Sequence, residues 1–463
     1  MRTLVALPEA KMKGGTPDLD APIASPEDLV AYLRSGEKPP EQWRVGTEHE
    51  KIGLAEATHD PVPFEGGAGI AAVLEGIANE GDWVRVREGE NVIALEKDAA
   101  SITLEPGGQL ELSGAPLRTI FETCDELHEH LALTQRVSES LGIIWLGIGM
   151  NPLHPVAELP AMPKARYRIM RTYLPQRGKL GLEMMFATAT VQANYDFSSE
   201  SDMVEKMRVA TAVSPVISAI YANAPVSTGQ PNGFVSRRQE TWRDTDPDRT
   251  GLLEMVFEPD FGYRRYVEWV LDVPMFFTVR GDTYQPAGGR TFRQWLEEPG
   301  ELGPPRLVDF ERHLTTVFPE IRLKRFIEVR GADAVSAPMT CALPALWKGI
   351  LYDGEARRSA WELLSGVAFA SLEQSRVDVA RRGLGATFGS RPVLELAREL
   401  TEVARGGLRR IGHSGNHESD ESCFLEPIDQ QLLLGKSPGE VILEEWHGAW
   451  GGAVDRLIDH VRY

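Results

Sequence analysis

Residues 101–113 read Ser-Ile-Thr-Leu-Glu-Pro-Gly-Gly-Gln-Leu-Glu-Leu-Ser, and this stretch leaves a chain little choice of structure. Polar and apolar side chains alternate on both sides of Pro106-Gly107-Gly108. Alternation with period two marks a strand with one buried face, because successive strand side chains leave on opposite sides. So short a Pro-Gly-Gly turn returns the chain antiparallel. Ser101, Thr103 and Glu105 then share one face, with Ile102 and Leu104 opposite. Gln109, Glu111 and Ser113 form the polar face of the next strand, so Glu105 and Glu111 lie on neighbouring strands.

The same rule places other acids. In a strand over 44–54, Glu48 and Glu50 point the same way. In one over 184–197, the polar set is Thr188, Thr190, Gln192 and Asn194. In one over 323–330, Glu328 and Arg330 share a face. A wet face explains any one of these strands. Together their polar positions are rich in Glu and poor in Lys, which is unusual for a solvated sheet. Two carboxylates brought to 4 Å repel by roughly 4 kcal/mol at an effective dielectric near 20. A proton or a metal ion relieves that. Oxygen donors without His or Cys partners select Mg²⁺ or Mn²⁺. Carboxylate clusters also serve glycosidases and two-metal nucleases, so spacing alone leaves those classes open.

Elsewhere, short strands over 83–87 and 92–96 precede the 101–113 pair, and an apolar strand is expected over 142–149. Helical periodicity predicts helices over 25–33, 70–79, 117–141, 200–222 and 262–271. Beyond residue 337 the pattern is almost wholly helical, including 392–405, expected to stop at Gly406-Gly407, and 439–446. The expected fold class is α+β: an antiparallel-rich sheet flanked by helices, with a helical C-terminal portion. Without a clean linker or repeat, the reading is one catalytic domain over 25–463, with a sheet-rich core over 25–336 and a helical portion over 337–463. Residues 1–24 read as a flexible leader.

The 463 residues carry 49 basic and 68 acidic side chains, a formal charge of −19, which disfavours nucleic acid or anionic membrane as a partner. No segment approaches the apolar length of a membrane span. Three cysteines, Cys124, Cys341 and Cys423, contain no CxxC pair, and so few suggest a cytoplasmic address. Walker A, HExxH and GxSxG motifs are all absent.

Seven collinear stretches within 44–350 carry a more specific signal. They are GTEHEKIG (46–53), SITLEPGGQLELSGAPL (101–117), MPKARYRIMRTYLP (162–175), TVQANYDFSSE (190–200), PNGFVSRRQETWRDTDPDRTG (231–251), FGYRRYVEWVLDVPM (261–275) and HLTTVFPEIRLKRFIEVRGAD (313–333). The chain resembles glutamate–cysteine ligases of the plant and proteobacterial type, and its C-terminal part resembles them only loosely. The resemblance implies a glutamine-synthetase-like carboxylate–amine ligase with a funnel-like active site. It implies ATP-dependent joining of glutamate to cysteine through γ-glutamyl phosphate, the first step of glutathione biosynthesis. Mg²⁺, with Mn²⁺ possible, would serve as cofactor, in a monomer or homodimer.

Carried over by residue, Glu48, Glu50, Glu105, Glu111 and Glu328 resemble metal ligands, and Gln192 stands where distant relatives place a metal-binding His. Arg330 would stabilise the transferring phosphoryl group, with Arg238 near phosphates and substrate. Met185, Thr188 and Asn194 border the implied amino-acid pocket. Lys51, Lys324 and Arg264 are weaker phosphate candidates, as are Arg166 and Arg171. Cys124 and Cys341 look similar to the positions of a regulatory disulfide of plant relatives, whose second cysteine pair is absent here. A ligase for another amine, a metal-dependent hydrolase and a non-catalytic binding protein are the competing readings.

Overall fold

Strand Val45–Ala55 (β1), eleven residues long, is the spine of the molecule. After it come Val84–Glu88 (β2), Asn91–Lys97 (β3), Ala100–Leu104 (β4), Leu110–Ser113 (β5), Ile143–Leu146 (β6) and Thr190–Tyr195 (β7). The computed structural model describes residues 17–413 and 419–463. In it, strands Ile321–Leu323 and Ile327–Asp333 lead the order, followed by β7, β1, β5, β4, β3 and β2, with β6 added beside β1. All pairings in this nine-stranded sheet are antiparallel.

The alternation read from residues 101–113 sorts the two faces. Leu104 pairs with Leu110 and Ile102 with Leu112, and all four are buried in an apolar cluster with the helix Ile70–Glu80. Val45, Val191, Ala193, Tyr195, Ile327 and Val329 face the larger core, built by helices Glu200–Ile220, Ala337–Leu351 and Val393–Ile411. The opposite face carries the acids. Glycine is needed twice in the turn between β4 and β5. A Cβ on Gly107 would lie 2.1 Å from the Phe186 carbonyl oxygen, and Gly108 adopts φ +89°.

Three predicted elements differ. The strand expected over 184–197 is a helix, Gly181–Ala187, followed by β7. Its apolar Met184-Met185-Phe186 run does not discriminate helix from buried strand, and the Thr188 hydroxyl donates to the Met184 carbonyl one turn back. The strand expected over 323–330 is a hairpin, turning at Lys324, where Lys324 N donates to Phe326 O at 2.8 Å. The helix expected to end before Gly406 runs on to Ile411. There a Cβ on Gly407 would meet the Gly349 carbonyl oxygen at 2.0 Å, so this glycine serves close helix packing instead of a stop.

The 1–16 part of the expected leader lies outside the described residues. Residues 19–23 lie along the chain near Arg306: Val308 N donates to Leu19 O, Ile23 N to Pro305 O, and Ile23 is buried. Among the described residues, no helix is long and apolar enough to cross a membrane.

Candidate active site

The polar face of the sheet opens into a cavity of about 260 Å³. Register brings its acids together. Glu50 stands opposite Glu111 across β1 and β5, Thr103 opposite Glu111 across β4 and β5, and Glu48 opposite Gln192 across β1 and β7. Glu48, Glu50, Glu105, Glu111 and Gln192 all line the cavity. The same cavity is lined by Lys164, Arg166, Arg312, Arg322, Lys324 and Arg330, and by Glu88 and Glu96.

Three of these acids are held by a specific donor. Thr190 N donates to Glu50 Oε2 at 3.0 Å, Asn194 Nδ2 to Glu48 Oε1 at 2.9 Å, and Thr103 Oγ1 to Glu111 Oε2 at 2.5 Å. These bonds do not neutralise the charges. Burial, then Glu328 and Glu111, raises Glu48 to about 7. Burial, then Glu105 and Glu111, pushes Glu50 well above the usual carboxylate range, and burial with Glu105 raises Glu111. The cavity is therefore built to take a proton or a cation.

Glu328 is the exception. Burial favours its neutral form, but Arg322, Lys324 and Arg330 outweigh that and hold it well below the ordinary range. Arg322 Nη2 donates to both Glu328 oxygens at 2.6 and 2.8 Å, Lys324 Nζ stands 3.0 Å from Oε2, and Arg330 also pairs with it. Expected as a metal ligand, Glu328 is instead fully buried and ion-paired behind the cavity wall. Arg330 bridges it to the site, donating to Gln192 Oε1 at 2.7 Å.

Other expected positions are corrected. Lys51 is fully buried on the opposite face of β1, its Nζ 3.1 Å from His49 Nδ1, because period two separates it from Glu50. Arg264 lies on the helix Tyr263–Asp272, half exposed and paired with Glu27 and Glu268, away from the cavity. Arg171 packs over the Phe186 ring, 5.4 Å from its centroid. Met185 is buried in the apolar cluster and the Thr188 hydroxyl is turned back to the Met184 carbonyl, and neither residue lines the cavity. Asn194 reaches the site only through Glu48. Arg238 stands behind Arg330, donating to its carbonyl at 2.9 Å and facing Asp333 at 3.5 Å.

Sequence reasoning missed Arg322 and Lys164. Arg322 pairs in register with Glu328, a signal that the hairpin turn at Lys324 would have exposed. Lys164 donates to the Leu104 carbonyl at 2.8 Å, a contact across 60 residues that no local pattern announces. The hairpin Phe277–Arg280 with Thr283–Pro286 adds Phe277 and Tyr284 to the cavity wall. On the far side of the sheet, Cys124 and Cys341 form a disulfide, and Cys423 is free.

The glutamate–cysteine ligase family 2 model matches residues 44–460. The chloroplastic glutamate–cysteine ligase of Nicotiana tabacum is 44% identical over 456 residues, covering 96% of this chain and 85% of that protein. That of Arabidopsis thaliana is 44% identical over 442 residues, covering 94% and 83%. Among solved structures, glutamate–cysteine ligase from Francisella tularensis, in complex with AMP, shares the fold at TM-score 0.55 and 13% identity, over 90% of this chain and 87% of that one. A bifunctional glutathione synthetase from Pasteurella multocida gives TM-score 0.51 at 12% identity, over 91% and 51%. The chloroplastic relatives overturn the cytoplasmic address expected from the cysteine count. A low count reports no compartment here, since two of the three cysteines are bridged.

Proposed function

The chain belongs to glutamate–cysteine ligase family 2, and on that premise we propose that it joins the γ-carboxylate of L-glutamate to the amine of L-cysteine with cleavage of ATP, giving γ-glutamylcysteine. The observation that carries this reading is the doubly charged lining of one cavity, where six carboxylates, Glu48, Glu50, Glu105 and Glu111 among them, share the wall with six cationic side chains. A carboxylate attacking a triphosphate brings several negative charges together, and the cationic side chains answer them.

Glu48, Glu50, Glu105 and Glu111 fit Mg²⁺, or Mn²⁺: they are oxygen donors only, with three of the four held in their proton-seeking state by burial and mutual repulsion. Bound there, the ion supplies positive charge to the phosphate oxygens and helps hold them in line. Arg330, Lys324 and Arg322 neutralise the phosphoryl group as it transfers. Arg238 and Asn194 act as positioning residues behind Arg330 and Glu48.

In the first step a γ-carboxylate oxygen of glutamate bonds to the terminal phosphorus, and the bond to ADP breaks. The cysteine amine then attacks the carbonyl carbon of that γ-carboxyl group, the carbon–oxygen bond to phosphate breaks, and the amine proton passes to the departing phosphate. No side chain has to serve as general base.

ADP release is the test, measured with glutamate alone and then with cysteine, alanine or 2-aminobutyrate. Turnover that needs both glutamate and cysteine supports the reading. Turnover indifferent to the thiol makes the chain a ligase for another amine, and no ATP cleavage with any amine ends the ligase reading. Oxygen label placed in the γ-carboxylate should appear in phosphate if γ-glutamyl phosphate forms.

A further inference from the structure

Away from the acidic cavity, Cys124, His128 and Cys341 gather where two helices pack. Cys124 and His128 are four residues apart on the helix Ile120–Glu139, which stacks them on one face. Cys341 comes from the helix Ala337–Leu351, its Cα 5.3 Å from that of Cys124. One ligand atom from each residue lies within 4.8 Å of the other two. His128 Nδ1 sits 2.8 Å from the Cys124 carbonyl oxygen and 3.5 Å from Cys124 Sγ. Nδ1 is the ring nitrogen beside Cys124 Sγ, so as a ligand it would turn its lone pair to the sulfurs and leave the Nε2 proton to solvent. Cys341 is buried and His128 exposed, so the cluster has a closed side and an open one.

We propose that, once the disulfide is reduced, Cys124, Cys341 and His128 form a Zn²⁺ site with its fourth position open to water or an external thiol. Two thiolates and an imidazole are a soft donor set, taking zinc at about 2.3 Å from sulfur and about 2.0 Å from nitrogen. Mg²⁺ does not compete for such donors. Opening the bridge takes two electrons and two protons from a dithiol, which leaves as its own disulfide. The two thiol protons then pass to solvent as the ion binds. Ion and bridge use the same two sulfurs, so they exclude each other, and bound zinc slows reoxidation.

The test uses the full chain carrying Cys423→Ser, which removes the free exposed thiol. The protein is reduced with a phosphine, desalted anaerobically and titrated with Co²⁺, then with Zn²⁺. The expected result is a thiolate-to-cobalt charge-transfer band saturating at a single equivalent and displaced by Zn²⁺. It should be absent from the oxidised protein and from Cys124→Ser. His128→Ala leaves the bridge intact and should weaken binding about 10- to 100-fold, as loss of a ligand or its support does. No band in the reduced protein, a band unchanged in His128→Ala, or loss of the circular dichroism of the folded chain on reduction would overturn the proposal.

Discussion

Glu50 and Glu111 stand directly opposite each other on neighbouring antiparallel strands, each 8% exposed. Side chains so paired lie about 5 Å apart at Cβ. Two charges at that distance repel by roughly 3 kcal/mol at an effective dielectric near 20. A fold that keeps such a pair uses it for something other than stability.

Replacing Glu50 with Gln should therefore separate function from folding. Turnover is expected to fall by about a hundredfold or more, the scale of losing a key electrostatic group. Circular dichroism should be unchanged, and the melting temperature of the metal-free protein unchanged or raised. Near-normal turnover in E50Q would remove Glu50 from the metal site.

Glu48 gives a pH-dependent difference with a definite sign. Its folded value is about 7 against 4.5 for an ordinary Glu. Between those values the folded chain holds a proton that the unfolded chain has lost, so this contribution to stability declines as pH rises from about 4.5 to about 7. Glu48→Gln keeps an oxygen for Asn194 to donate to and removes the titration. Relative to wild type, E48Q should gain on the order of 3 kcal/mol across that window in the absence of metal. Denaturation midpoints of both proteins at several pH values check this, and parallel curves would contradict it. Adding Mg²⁺ at pH 8 should close the gap by stabilising the wild type alone.

Arg330 bonds both Glu328 and Gln192 through one guanidinium nitrogen. Lysine keeps the charge but not the planar fork. Arg330→Lys is expected to lower kcat by about 10- to 100-fold with a smaller change in KM for ATP, since the group acts on the transferring phosphoryl charge. A change confined to KM would make Arg330 a ground-state binding residue.

Arg264→Ala tests whether this side chain lies outside the phosphate site. The side chain is 48% exposed and paired only at the surface. Steady-state constants should match wild type, and stability should shift by no more than about 0.5 kcal/mol. A marked rise in KM for ATP would return Arg264 to the phosphate site.

The Cys124–Cys341 bridge closes a loop of sequence separation 217. Chain-entropy reasoning for a loop of that length puts its stabilisation at about 5 kcal/mol. Reduction should lower the denaturant midpoint accordingly without changing the folded circular dichroism, and an unchanged midpoint would show that the bridge adds nothing.

Much of the site was legible in the sequence. Period two alone placed Glu48 with Glu50, and Glu105 beside Glu111 across the Pro-Gly-Gly turn. The same rule, applied strictly, also removes Lys51, one residue from Glu50 and therefore on the other face. The resemblance set Met185 beside the pocket, whereas its side chain packs in the apolar cluster under the sheet, in a run whose missing period had read as strand.

By itself the sequence determined which side chains share a strand face, because side-chain direction follows from backbone geometry within two or three residues. The family resemblance added the reaction those shared faces would serve. The tertiary structure alone decided how the charges are partnered. Glu328 meets Arg322 across a hairpin, Arg330 reaches Gln192 from 138 residues away, and Lys164 comes in over β4. Charge pairing depends on distance through space, and these contacts arise only after the sheet has closed and its apolar face is buried.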